Sequence, residues 1–284
     1  MFDIYQFLVH ENKSPYGKSG NPAFGHMNAS LALRSKKTQP PDIPDIPTDG
    51  GLMRSEELTK VRALDLFADM KEETFDVMMA MAYFQAFPPH LHLITEGDPS
   101  DFLHVVVDGA VEMFAHANDR ETTIYVVRPY STFILAASAL DAPYLMSART
   151  IEKSHILMIP SVDVRAAMHA CTAFSHAIMA ELASCYRGVI KNTKNLKLRN
   201  ATERLANYLL YCNETQGGHG VVTIDIEKRI LASILGMSPE NQSRAFSALK
   251  GHGVEVSGNK VRLTNIARLK RLAKPSPLLD DPGF

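Results

Sequence analysis

The 284-residue sequence predicts an α+β chain: an N-terminal double-stranded β-helix of jelly-roll type, a long helix, and a C-terminal winged helix-turn-helix. Three observations predict it. Short apolar runs between Leu91 and Pro160 are broken by Gly97-Asp98-Pro99, Asp108-Gly109 and Asn118-Asp119, turn residues at the spacing of a many-stranded sandwich. Apolar residues then recur mainly at three- and four-residue steps from Phe174 to Leu196, the narrow seam of a long helix. Last, two helical patterns meet at Gly236, and Val254–Leu263 follows as two short strands around Gly258-Asn259.

Residues 1–53 are rich in Pro, Ser, Asn and Gly, and Gln39–Pro47 reads as an extended linker, so this stretch is expected to be a disordered extension. Its first residues carry an acid and no basic cluster, so no signal peptide is expected. From Ser55 to Phe84 the pattern is helical, with Leu64, Leu66, Phe67 and Met70 leading into a second helix around Phe75–Met81. The strand-rich domain is assigned to 54–161, the long helix to 162–198, the winged helix-turn-helix to 199–274 and a tail to 275–284.

Within the third part, Ile230, Leu231, Ile234 and Leu235 recur at helical spacing, and Gly236 supplies the break of a tight turn. Ser238 suits an N-cap and Pro239 the first helical position, while Glu240 complements the helix dipole. Glu240, Ser243 and Arg244 share one face near the start of that helix, where base edges are read. Arg binds guanine bidentately, Glu accepts from the cytosine amino group, and Ser bonds either edge. Lys228, with Lys260 and Arg262 on the hairpin, completes the expected contacts to double-stranded DNA.

Charge supports this division. Residues 199–274 carry 12 Lys/Arg against 6 Asp/Glu, a net of +6, while residues 1–198 carry 18 against 23, a net of −5. A basic C-terminal part behind an acidic N-terminal one fits phosphate contact by one domain only. Cys171, Cys185 and Cys212 lack zinc spacing and read as free thiols of a reducing cytoplasm. No apolar run approaches ~18 residues, so no membrane span is expected.

The string Lys228, Leu231-Ala232, Leu235-Gly236, Ser238, Glu240 and Ser243-Arg244 resembles the DNA-binding signature of the CRP/FNR superfamily of bacterial transcription regulators. Its Glu-x-x-Ser-Arg form is similar to the FNR-type branch, which implies a TTGAT-like half-site. Leu198–Leu210 is similar to the hinge and first DNA-domain helix of the nitric-oxide-responsive DNR-type regulators. The resemblance implies a cytoplasmic homodimer that works with RNA polymerase. It makes the long helix the dimerisation element, with Phe174, Ile178, Leu182, Cys185, Val189 and Leu196 as interface residues.

Leu93–Pro99 and Phe102–Gly109 resemble the superfamily's cyclic-nucleotide-binding β-roll, but the nucleotide chemistry is lost. Ala136 stands where a Glu holds the ribose, and Met146 where an Arg holds the phosphate; Arg149, offset by three, is not expected to reach the same place. No cysteine precedes Cys171, which excludes the N-terminal cluster of an iron–sulfur sensor. The effector is therefore expected to be no cyclic nucleotide. A haem held by histidine stays open, as does a small apolar molecule held by Phe133, Ile134, Leu135, Leu145 and Met146. A rival from another class is a cupin-like metal enzyme, or a metal-sensing regulator, built on His90, His92 and Glu96. It lacks the flanking glycines and the later histidine ligand, and it leaves the basic winged helix unexplained.

Overall fold

A computed structural model describes residues 53–118 and 120–280, so the Pro-rich extension expected over 1–53 lies, except for its last residue, outside the described residues. The helical pattern after Met53 forms three short helices, α1 (Ser55–Arg62), α2 (Asp65–Ala68) and α3 (Glu72–Ala80). Val61, Leu66, Phe67, Phe75 and Met78 are their buried face. The helical expectation ran on to Phe84, yet Tyr83–Phe87 is strand β1. Its Tyr83 and Phe87 both turn toward one apolar cluster, a period-two alternation that the preceding Met and Ala residues obscure.

Seven more strands follow: β2 (His92–Ile94), β3 (Phe102–Asp108), β4 (Val111–Ala117), β5 (Arg120–Val127), β6 (Ser131–Phe133), β7 (Ser147–Thr150) and β8 (Ser154–Pro160). They make two four-stranded antiparallel sheets, ordered β1-β8-β3-β6 and β2-β7-β4-β5, the expected roll. A short helix, α4 (Leu135–Leu140), interrupts them. Strand β3 is buried on both faces, so it reads as one apolar run rather than an alternation. Phe102 and Val106 point into the lumen between the sheets, while Leu103, Val105 and Val107 meet the helices.

The single helix expected over 162–198 is two: α5 (Ser161–Ala170) and α6 (Thr172–Leu198). Cys171 between them is extended (φ −133°, ψ 104°) and fully buried, its Sγ 3.5 Å from the Lys71 amide. The bend lets α5 pack back on α6, and Ser175 Oγ donates to the Met168 carbonyl left free at the end of α5. The reason is tertiary: one straight helix would carry Cys171 out of the core it shares with Phe67 and Phe174.

The C-terminal domain begins at α7 (Ala201–Thr215), capped by Asn200 and Glu203 in a reciprocal box. It continues through β9 (Val221–Thr223), α8 (Lys228–Ile234), α9 (Pro239–Lys250), the hairpin β10 (Val254–Ser257) and β11 (Lys260–Leu263), and α10 (Ile266–Ala273). Strand β9 joins the hairpin as a three-stranded sheet, β10-β11-β9. The expected tail at 275–284 is partly structured. Pro277–Asp280 forms helical turn α11, and Asp280 takes a bidentate pair from Arg199 at 2.6 and 2.5 Å.

Candidate nucleic-acid interface and roll lumen

The turn between α8 and α9 is built as the residues require. Gly236 takes φ +61°, and a Cβ there would stand 2.4 Å from Leu196 Cδ2, so the site takes no larger residue without a shift. Buried Arg204 donates to the carbonyls of Arg199, Leu235 and Gly236 and so ties the first helix of the domain to this turn. Ser238 accepts from the Asn241 amide at 3.3 Å, with Pro239 at the first helical position.

Helix α9 then divides into two faces. Gln242, Ala245 and Leu249 are buried against the domain, while Glu240, Ser243 and Arg244 stand exposed together. The Ser238 hydroxyl, with help from the Arg244 charge, holds the Glu240 carboxyl below its usual range, so it is an acceptor at neutral pH. Ser243 Oγ already donates to the Pro239 carbonyl at 3.1 Å, which leaves its lone pairs toward solvent. On the hairpin, Val261 and Leu263 are buried and Lys260 and Arg262 exposed, the alternation of a half-covered strand. Lys228 stands exposed at the start of α8.

The sequence reading missed a second basic element. Arg268, Arg271 and Lys274 line a cleft of about 780 Å³ with His252 and with Asn200, Thr202 and Glu203 at the start of α7, where Glu203 lies 3.9 Å from Lys274 and offsets one of the three cations. The basic residues of α10 were counted in the charge balance, but their convergence on α7 depends on packing between helices far apart in sequence.

In the roll, the five residues expected around an effector divide. Phe133, Ile134 and Met146 belong to the lumen cluster. Leu135 turns instead into the helical core, and Leu145 is 81% exposed, so neither lines the lumen. Ile134 takes φ +66°, a strained backbone for a β-branched residue, at the start of α4. Ala136 is exposed, and Arg149 lies on the outer face of β7, bound to Glu112 and Glu121 rather than aimed into the lumen.

Among the described residues, His104 lies in the lumen. His104 stacks on Phe133 with ring centroids 4.9 Å apart, and its Nδ1 has no hydrogen-bond partner. Burial pushes its pKa down to about 4, so the ring is neutral. Phe133 stacks on the face of the ring and Phe102 packs against it at a steep angle, so its surroundings are aromatic on two sides. His169 and His176 are exposed. His90 sits at φ +61° in a turn and His92 packs edge-on against Phe114, both exposed. Among the described residues no group of three His, Cys, Asp or Glu is placed to hold a metal, so His90, His92 and Glu96 do not form the site the rival reading needs.

The helix seam also divides. Phe174 and Ile178 are buried inside the chain's own core, and Leu182 packs against it, so these three are not free for a partner. Cys185 and Val189 are exposed, while Leu196 packs on Gly236. Exposed apolar residues of α6 include Met179, Tyr186, Val189 and Ile190, at 44–67%, with Leu196 and Leu198 nearer its end. Val189 belongs to both sets, and Met179, Tyr186 and Ile190 each lie one position beyond an expected seam residue.

Residues 84–171 match the cyclic nucleotide-binding domain, and residues 203–272 match the Crp-like helix-turn-helix domain. A "CRP-like cAMP-activated global transcriptional regulator" of Mycobacterium tuberculosis is 25% identical over 194 residues, covering 66% of this chain and 87% of that protein. Among solved structures, a candidate cyclic nucleotide-binding protein of Ruegeria pomeroyi is 26% identical with a TM-score of 0.53, covering 78% of this chain and 100% of that one. FixK2 of Bradyrhizobium japonicum shares the fold at 23% identity and a TM-score of 0.60, covering 69% and 98%. No helix of the described residues is long and apolar enough to cross a membrane.

Proposed function

The chain belongs to the CRP/FNR superfamily of bacterial transcription regulators, and on that premise we propose a cytoplasmic homodimer that reads a TTGAT-like palindrome under control of a non-nucleotide effector. The observation that carries the base readout is the exposed triplet Glu240, Ser243 and Arg244 on a helix whose opposite face is locked into its domain. Lys228, Lys260, Arg262 and the α7–α10 cleft supply phosphate contacts. The stripe Met179–Ile190 supports pairing of two copies through α6, which sets two recognition helices on a two-fold axis. RNA polymerase is the partner on the transcription side, as the superfamily resemblance implies.

The relative's printed name speaks of cAMP, and this chain's own residues argue otherwise. Ala136 carries no carboxylate and Met146 no charge, and Arg149 is engaged outside the roll. The lumen is lined by Phe87, Phe102, Phe133 and Ile156 and presents one neutral imidazole. That surface suits a small, largely apolar effector, with a haem on the unpartnered nitrogen of His104 as the alternative. Selection of bound duplexes from a random pool tests the DNA reading. We expect enrichment of a TTGAT palindrome, and recovery of no palindrome at all would overturn it.

A further inference from the structure

Helix α8 has two jobs, because the face opposite α9 is seated on the roll. Ile230 is 2% exposed, covered by Ala110 and Val126 of the roll, with Ile151, Ile226 and Ile234 at the edge of the patch. Beside it, Ser233 Oγ accepts from the Thr123 amide at 2.7 Å and bonds the Thr122 hydroxyl at 3.0 Å. These partners lie more than a hundred residues apart in sequence, so folding of neither domain alone brings them together.

Charge reinforces the contact. Arg149 Nε donates to Glu112 at 2.8 Å, and its terminal nitrogens form a bidentate pair with Glu121 at 2.9 and 2.6 Å. Its guanidinium also stacks 4.3 Å over Phe114. Arg229 of α8 reaches the same two carboxylates, 3.3 Å to Glu121 and 3.6 Å to Glu112. Glu112 is 2% exposed, and the Thr123 hydroxyl donates to its other oxygen. A carboxylate so deeply placed is retained only with its charges balanced. Two guanidiniums and two carboxylates thus link β4, β5 and β7 to α8. Along β7, Ala148 points into the lumen while Arg149 points into this network, so one short strand touches both.

We infer that this contact is a latch: Arg229 and Ser233 of α8 hold the DNA-binding domain on the roll in one orientation through Glu112, Glu121 and Thr123. Strand β7 is the element through which a change in the lumen reaches it, since Arg149 cannot move without disturbing both carboxylates. Arg149 holds in place the two carboxylates that Arg229 reaches from the other domain.

Hydrogen exchange on the full-length, DNA-free protein tests this, and ¹⁵N relaxation of the two domains provides a second readout. In Arg229→Ala and Ser233→Ala, exchange over residues 120–127 is expected to rise by about tenfold, while α7 peptides keep their protection. The C-terminal domain is expected to tumble with a correlation time about twofold shorter than in the wild-type protein. Arg229→Lys keeps a charge in reach and should retain most of the protection. Arg229 is half exposed, so its truncation leaves no buried hole. Unchanged exchange in both variants, or faster exchange with unchanged tumbling, would overturn the latch. Because neither readout uses DNA, failure of the palindrome assignment leaves this result standing.

Discussion

The proposed DNA-reading face and the roll lumen treat polar side chains in opposite ways. Glu240, Ser243 and Arg244 stand in water on a helix that Gln242, Ala245 and Leu249 anchor from behind. In the lumen His104 is wrapped by aromatic rings, with one nitrogen unsatisfied. The first arrangement costs little until a partner arrives, because water satisfies every group. The second carries a standing penalty of about 1–3 kcal/mol for the orphaned nitrogen, which a packed domain tolerates only if its other contacts over-determine it. One region thus holds its polar groups in water, and the other holds a polar ring inside apolar packing.

The strongest way to break this contrast is at α6, which serves both regions. Ile178→Asp should cost about 4 kcal/mol or more, since it places a carboxylate in the core beside Phe174. Calorimetry should show the roll transition lost. The matched change Ile190→Asp lies on the exposed stripe and should leave that transition in place, yet convert the protein to a monomer by light scattering. Equal effects of the two changes would mean that the stripe and the core are not separate.

His104 sharpens the contrast through pH. Its folded pKa near 4 lies below the ordinary 6.5, so the unfolded chain takes up a proton that the folded one refuses. The contribution of His104 to stability should therefore fall as pH drops from 6.5 toward 4, by on the order of 3 kcal/mol, and stay constant below that. His104→Leu should remove this slope in urea titrations at pH 7 and pH 4. A slope that persists would assign the acid sensitivity to another group.

On the reading face the effects are smaller and selective. Arg244→Ala should cost about 1–3 kcal/mol per half-site on the palindrome and little on random duplex. Lys228→Ala and Arg262→Ala should weaken both duplexes alike and flatten the salt dependence. Fluorescence anisotropy at two salt concentrations separates the two patterns, and uniform loss from Arg244→Ala would move it to the phosphate group. The smallest expected effect is none at all: cyclic AMP and cyclic GMP should give no calorimetric heat. Micromolar binding would mean that Arg149 leaves Glu121 to hold a phosphate.

The turn at Gly236, the cap at Ser238, the exposed triplet of α9 and the hairpin around Gly258-Asn259 were all legible in the sequence. Each depends on residues within a few positions of one another, where backbone sterics and capping chemistry act without help from the rest of the chain. The many-stranded roll was legible for the same reason, through its turn dipeptides. Strand β1 was not, because its partner is β8, some seventy residues on, and the flanking residues favour a helix.

Placement within the site followed the same division. That Ala136 and Met146 lack nucleotide chemistry is a property of residue type alone. Whether Leu135 and Leu145 face the lumen is not, since the packing of α4 turns Leu135 into the helical core and the turn after it leaves Leu145 in solvent. The expected seam of α6 divides between the core, which takes Phe174 and Ile178, and the exposed surface, which keeps Cys185, Val189 and Leu196: helical spacing says which residues share a face, and only the fold says what that face meets. The break at Cys171, the return of Asp280 to Arg199 and the joining of α8 to the roll by Glu112, Glu121 and Arg149 were tertiary decisions. Buried sulfur and charge find their partners by distance in space, and no local pattern records that distance.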